Sequence, residues 1–280
     1  MVGRATRIGG WLNCPMGRTA TARSVRRLGL ARARRWWLRG HKVRSIDRAA
    51  SFVNDVGFAL LFPTPRMLAP SLWEAVAGED AEPFEEGMRT SEQKVWTWKD
   101  ELPRRGLAWY GGFIAGRSSF LSPALLAALY PGRGTVDDHK SLTMSPAAHQ
   151  IGEALAEEPL PSALLRNLVG DRNRYQRGIA ELQGLLLATT AGVTESRTGW
   201  PAALMELTCR RFDVGGRQHA GYATTCFLDT MIEVRPADLA RAFRWPLATA
   251  RAQLDALVDT ERATSDGSSF FSAAHPGIRR

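Results

Sequence analysis

Four lysines serve a chain of 280 residues, and the other 33 of its 37 basic residues are arginine, a bias that fits a GC-rich coding sequence. Cysteine is equally scarce. Cys14, Cys209 and Cys226 are odd in number and widely spaced, with no CxxC pair, so neither a disulfide framework nor a zinc site is expected, and a reducing cytoplasm is the default compartment. The five histidines, His41, His139, His149, His219 and His275, are too scattered to form helix-spaced ligand pairs. No stretch reaches 18 consecutive apolar residues, which argues against a membrane-spanning helix. GxxxxGK[ST] and GxSxG are both missing, so ATPase and α/β-hydrolase readings fall away. The glycines at 132 and 134 lack the flanking strand, helix and later acid of a dinucleotide site, so they read as a loop, and no cofactor is expected.

Acid is absent from the first 46 residues, which hold twelve arginines and lysines. The remaining chain carries 25 basic against 28 acidic residues, so the overall charge of +9 resides in the amino-terminal segment and the rest is close to neutral. Counterion release on binding nucleic acid can therefore be argued for that segment and for local patches, not for the whole chain. Residues 1–44 read as a basic, disordered arm. Within it WLNCPMG is too short and broken for a secretory core. For residues 23–43 three readings stand: an arm along the DNA backbone, a first helix with a solvated basic face, or a helix on an anionic membrane surface.

The most informative stretch runs from Leu142 to Leu207. Ser145-Pro146 is a cap followed by proline at the first helical position, and the helix it opens should end before Pro159. Ser162 to Val169 gives a second helix, with Leu164, Leu165 and Leu168 expected inward and Gly170 as its stop. Asp171 caps a third, in which Tyr175, Ile179 and Leu182 share one face and Arg174, Arg177 and Glu181 the other. Leu185–Thr190 and Trp200–Leu207 then read as a hairpin around a polar, glycine-bounded turn. Three helices and a hairpin in this order describe a winged helix, with the third helix as the reading helix.

The flanks repeat parts of the pattern. Asp47–Val56 reads as a helix stopped by Gly57, Phe58–Phe62 as a buried strand or turn, and Ser71 as the cap of a short helix closed by Gly78. Residues 79–87 form an acidic loop, and Phe113–Ser122 a small hairpin turning at Ala-Gly-Arg. Residues 132–141 are the best candidate linker, with a second break at Asp213–Gln218. Beyond it, His219–Met231, the helix opened by Pro236 and the helix opened by Pro246 precede a hairpin around Asp266-Gly267. In the last helix Leu247, Ala250, Leu254, Leu257 and Val258 are expected inward, with Thr249 and Gln253 on the opposing side. The fold expected is mainly α with short β-hairpins, in tandem winged-helix domains: an N-terminal helical or winged-helix-like domain at 45–135, a central winged helix at 142–212 and a C-terminal one at 219–272.

With FVNDVGFALLFP, PSLWEAVAG, WTWKDELP and RNRYQRGIAELQ in this order, residues 50–258 resemble the AlkZ/YcaQ-like winged-helix proteins, a bacterial group that includes DNA glycosylases. The resemblance implies tandem winged helices, DNA as the partner and a place in DNA repair. It also implies a glutamine-rich catalytic motif after the helix Asp47–Val56. Residues 57–62 read GFALLF there, with no glutamine and no acid, and an apolar run cannot position water beside a sugar.

Any chemistry therefore has to be sought in WTWKDELP. Asp100 and Glu101 are the candidate catalytic carboxylates, Lys99 could hold a phosphate or form a Schiff base, and Trp98 or Trp96 could stack on an unpaired base. The candidate DNA-binding residues are Arg174, Arg177, Thr249, Gln253, Lys99 and Trp98. The same polar cluster would equally serve as a helix end with one buried tryptophan. Three functions follow: a repair-related DNA-binding protein, cytoplasmic and nucleoid-associated; a transcription regulator built of the same modules; and a non-enzymatic protein scaffold.

Overall fold

The computed structural model describes residues 22–40, 43–65, 67–78, 88–194 and 202–278. After a first helix, α1 (Ala22–Arg35), one order of elements, helix, strand, helix, helix, strand, strand, occurs three times. The first repeat comprises α2 (Ile46–Val56), β1 (Phe58–Leu60), α3 (Leu72–Ala77), α4 (Thr90–Arg104), β2 (Trp109–Gly112) and β3 (Ser118–Leu121). A connecting helix, α5 (Pro123–Leu129), leads to the second: α6 (Pro146–Glu157), β4 (Leu160–Pro161), α7 (Ser162–Val169), α8 (Arg172–Gly184), β5 (Ala188–Val193) and β6 (Ala203–Leu207). The single turn α9 (Thr208–Arg211) precedes the third: α10 (Ala220–Met231), β7 (Glu233–Val234), α11 (Pro236–Phe243), α12 (Leu247–Asp259), β8 (Ala263–Ser265) and β9 (Phe270–Ser272). Each repeat closes a three-stranded antiparallel sheet in which the last strand lies between the other two, β1-β3-β2, β4-β6-β5 and β7-β9-β8. The described residues are thus mainly helical with three small sheets.

Local chemistry sets most of the boundaries. Ser45, Ser71, Ser122 and Ser145 each accept a backbone N–H from the first turn of the helix that follows, and Asp171 accepts two. Proline occupies the first turn of α5, α6 and α11, where its missing N–H costs nothing. Gly57 ends α2 at φ +78°, a left-handed conformation, and an added Cβ there would collide with Cys226 Sγ from the third repeat. The first and third repeats meet at this point: Thr230 Oγ1 donates to Val56 O at 2.6 Å, and the rings of Phe58 and Phe227 stack at 5.2 Å. One large apolar core runs from Trp36 and Phe58 through Leu165 and Leu182 to Phe270, and a smaller one fills the first repeat around Phe52, Trp73 and Leu102.

Several expectations are corrected. Residues 1–44 do not form one disordered arm, because α1 is docked: Trp36 Nε1 donates to Thr230 O at 2.8 Å, and the Arg32 guanidinium donates to Met231 O at 2.9 Å and Glu233 O at 3.1 Å. Residues 1–21 lie outside the described residues, as do the acidic loop at 79–87 and much of the central hairpin's turn. The expected linker at 132–141 is packed. Asp138 is buried there and accepts from Tyr130 Oη at 2.8 Å, from the N–H groups of Arg133, Gly134 and Thr135, and from Thr135 Oγ1. The second break lies against it, with Gly216 N donating to Gly132 O at 3.4 Å.

Only Leu165 and Val169 of α7 turn inward; Leu164 and Leu168 are 54% and 44% exposed, because this two-turn helix meets the core along a narrow stripe. Leu247 is likewise 58% exposed, sitting at the open start of α12 ahead of the buried Ala250. The first hairpin also begins earlier than expected: Trp109–Gly112 is its first strand, and residues 113–117 make the turn, with Ala115 at φ +50° and Gly116 at φ +71°. No helix among the described residues is long and apolar enough to cross a membrane.

Candidate nucleic-acid interface

The third helix of the central repeat is built to show arginine to solvent. Both carboxylate oxygens of Asp171 are taken by the first turn of α8, Asn173 N at 3.0 Å and Arg174 N at 3.2 Å, and these hydrogen bonds hold its carboxyl below the usual range. Gly178 lets α8 approach α6 closely: a Cβ would stand 2.9 Å from Ile151 Cδ1 and 3.2 Å from the Ala147 carbonyl carbon. Leu182 is buried, and Tyr175 and Ile179 pack partly buried on the same core. The remaining face carries Arg172, Arg174 and Arg177, all exposed, and neither Arg174 nor Arg177 forms an ion pair with any described residue. Glu181, expected beside them, is turned away. Its Oε1 accepts Ser145 N at 3.0 Å and its Oε2 accepts Ser145 Oγ at 2.6 Å, so it caps the amino terminus of α6, and Asp171 at the helix start is the acid left near the arginines.

The corresponding helix of the third repeat differs. Thr249 is exposed and Gln253 half-buried, but Arg251 is tied to Asp255 at 3.3 Å and lies over the Phe270 ring at 5.4 Å. With Asp255 and Asp259 also exposed, this surface offers phosphate little net attraction.

In the first repeat, α4 carries the WTWKDELP residues and separates them. Val95, Trp98 and Leu102 fall on its inner face, so Trp98 is buried in the smaller core and has no face for a base; Trp96 is the 47% exposed indole. The spacing of Val95, Trp98 and Leu102 carried that signal. Lys99 Nζ stands 4.9 Å from the Trp96 ring centre and 2.7 Å from Asp100 Oδ2. Asp100 Oδ1 is buried with no hydrogen-bond partner. Burial pushes the Asp100 carboxyl above its ordinary value against the pull of Lys99, while the neighbouring Tyr110 phenol is pushed up to about 12, chiefly by its own burial. Glu101 goes the other way. Arg104 binds it at 2.7 and 2.6 Å and Arg105 at 2.6 Å, and the Arg104 hydrogen bond first of all draws its carboxyl down to about 2. The two candidate carboxylates are therefore unlike: burial favours the neutral form of Asp100, and two arginines hold Glu101 as an anion.

At β1, where the resemblance would put catalytic amides, Phe58, Ala59 and Leu60 are buried. The repeats are joined by residues that sequence patterning does not mark. Gly112 N donates to Gln183 Oε1 at 2.9 Å, and Arg244 Nη2, from the end of α11, donates to Gly112 O at 3.3 Å. Across the same seam Thr189 Oγ1 donates to Tyr110 O at 3.0 Å. Among the described residues no three His, Cys, Asp or Glu side chains cluster as a metal site.

A mainly helical chain of three like repeats, with exposed arginines on the third helix of the middle one, is the class defined by these observations. The chain belongs to the AlkZ-related family, whose sequence profile matches residues 43–225. Its fold is shared with a solved structure, the DNA glycosylase AlkZ of Streptomyces sahachiroi, at a TM-score of 0.52 and 14% identity, covering 93% of this chain and 72% of that one. No curated protein sequence matches significantly.

Proposed function

We propose that the protein binds double-stranded DNA through tandem winged helices and serves in DNA repair. In this reading each helix, strand, helix, helix, hairpin repeat is one winged helix, at about residues 45–135, 142–212 and 219–272, and the third helix of each is the one presented to a groove. The observation that carries the proposal is the face of α8, where Arg172, Arg174 and Arg177 are exposed while Glu181 is engaged at Ser145 and the carboxylate of Asp171 is taken up by first-turn N–H groups. Such a face binds phosphate at little desolvation cost and pairs with counterions that DNA can release. Membership of the AlkZ-related family and the fold shared with a DNA glycosylase support the repair role. The apolar β1 leaves no group there to activate water, so base excision by that strand is not part of the proposal.

A gel-shift panel of intact, abasic, alkylated and crosslinked duplexes at two salt concentrations, with analysis of products, tests it. Salt-sensitive binding that favours damaged or branched DNA supports repair. Tight binding to one two-fold symmetric sequence would replace repair with regulation, and an absence of salt-sensitive affinity would leave a protein scaffold.

A further inference from the structure

Lys99 and Asp100 are the one place on the DNA-reading helices where an amine, a carboxylate and an exposed aromatic face come together. The amine lies 2.7 Å from the carboxylate and 4.9 Å from the centre of the Trp96 ring. Both side chains of the ion pair are 14% exposed, so the pair is largely shielded from water yet sits beside an indole that is open to it. A lysine here is itself notable in a chain that uses arginine for 33 of its 37 cations, since a guanidinium would serve as well for phosphate but cannot act as an amine nucleophile at neutral pH.

We propose that Lys99 is a Schiff-base nucleophile toward the aldehyde of an abasic deoxyribose in DNA, with Asp100 as its proton acceptor and Trp96 as the platform for the base beside the gap. The idea rests on the DNA-binding reading and adds an activity to it. Two properties of the pair suit the role. Asp100 gains by protonation, because its Oδ1 is buried with no hydrogen-bond donor, and its Oδ2 already receives a hydrogen bond from the amine it has to deprotonate. Stacking on an indole is tolerant of which base flanks the lesion, as a lesion-directed site requires.

The step balances without any further reagent. The Lys99 ammonium passes a proton to Asp100, and the free amine adds to C1′ of the ring-opened sugar, forming a C–N bond. The carbinolamine oxygen leaves as water, taking the proton back from Asp100, and an iminium ion remains. Asp100 then removes a proton from C2′, the electron pair breaks the C3′–O bond, and the downstream strand departs as a 5′-phosphate. Water hydrolyses the imine and restores the amine.

The test is reduction with sodium borohydride in the presence of a duplex holding one abasic deoxyribose, followed by peptide mapping. With only Lys42, Lys94, Lys99, Lys140 and the terminal amine to choose among, the assignment is unambiguous. A covalent adduct on Lys99 is expected, with K99R lowering its yield by about 10²-fold or more, D100N slowing its formation by about 10²-fold and flattening its pH dependence, and W96A weakening affinity for abasic DNA. Circular dichroism of each variant establishes that it is folded, and the mapping of the wild-type adduct needs no variant at all. Abasic-DNA binding in the gel shift without any trapped adduct, or an adduct confined to another amine, overturns the lyase and leaves DNA binding standing. Failure to bind DNA of any kind overturns both.

Discussion

Gln183 Oε1 receives the backbone N–H of Gly112 at 2.9 Å, a bond that ties the last turn of the central repeat's third helix to the hairpin of the first repeat. Arg244 holds the carbonyl of the same glycine, so the third repeat joins at the same residue. Gln183→Ala removes the acceptor and leaves the Gly112 N–H half-buried without a partner, at a cost of about 1–3 kcal/mol. Thermal denaturation should register the loss, and an unchanged Tm would mean that water replaces the amide there.

The arginine face separates binding from stability. Arg174→Ala combined with Arg177→Ala touches exposed side chains, so stability should stay within about 0.5 kcal/mol of the parent. DNA affinity should fall, and the slope of log affinity against log salt should lose about two units, one per phosphate contact. Affinity that survives at both salt levels would move the interface off α8.

Neighbouring leucines on α7 give an internal contrast. Leu165→Ala empties a buried position and should cost about 2–5 kcal/mol, whereas Leu164→Ala, on an exposed side chain, should change stability by no more than about 0.5 kcal/mol. Equal effects would show that α7 is rotated relative to the arrangement described above.

Acid should act on Glu101 in a definite window. Its folded carboxyl is held near 2 by Arg104 and Arg105, below the ordinary value of 4.5, so its contribution to stability is present above pH 4.5 and is lost as pH falls toward 2. Glu101→Gln should therefore lower Tm at neutral pH, and the gap from the parent should close as the pH is brought down to 2. A gap independent of pH would assign the effect to packing instead of charge.

Buried Asp138 combines both kinds of test. Burial alone would raise its carboxyl, but the N–H of Arg133, the Tyr130 hydroxyl and the N–H groups of Gly134 and Thr135 outweigh it and draw the group below its ordinary value. Asp138→Ala strips the acceptor from five donors at once and should cost at least about 3 kcal/mol at pH 7. In urea titrations the deficit should begin to shrink as pH falls below the ordinary value of 3.8 and go on shrinking until the folded carboxylate, held lower, is protonated as well.

Elements whose limits rest on adjacent residues were legible in the sequence. Ser71, Ser145 and Asp171 mark helix starts, and Gly57 and Gly170 mark ends, through bonds and backbone angles made within a few positions. The inward face of a long helix was also legible, as Leu182, Leu254 and Leu257 show. Orientation failed where the outcome depended on distant chain. Glu181 has the spacing of a surface acid, and only the approach of Ser145 from 36 positions away turns it inward. Leu164 and Leu168 look apolar enough for a core that meets just one stripe of their short helix. The polar residues 132–141 read as a linker because nothing local shows that Asp138 gathers the donors around it. At the candidate site Trp98 was expected to meet DNA although its spacing with Val95 and Leu102 marks the inner face, and the opposite fates of Asp100 and Glu101 depend on side-chain rotamers that spacing does not carry.

The contact between the two glycine-rich breaks has a mechanical consequence. Chain enters the central repeat at Gly132–Gly134 and leaves it at Val214–Gly216, and the two passages lie backbone against backbone, so closely that a side chain on Gly134 or Gly215 would collide with the other. The two passages thus pin the base of a repeat that is also held by the shared core and by the Gln183–Gly112 and Thr189–Tyr110 bonds. A single-site change such as Gly134→Ala would splay the passages and strain that base without touching an arginine.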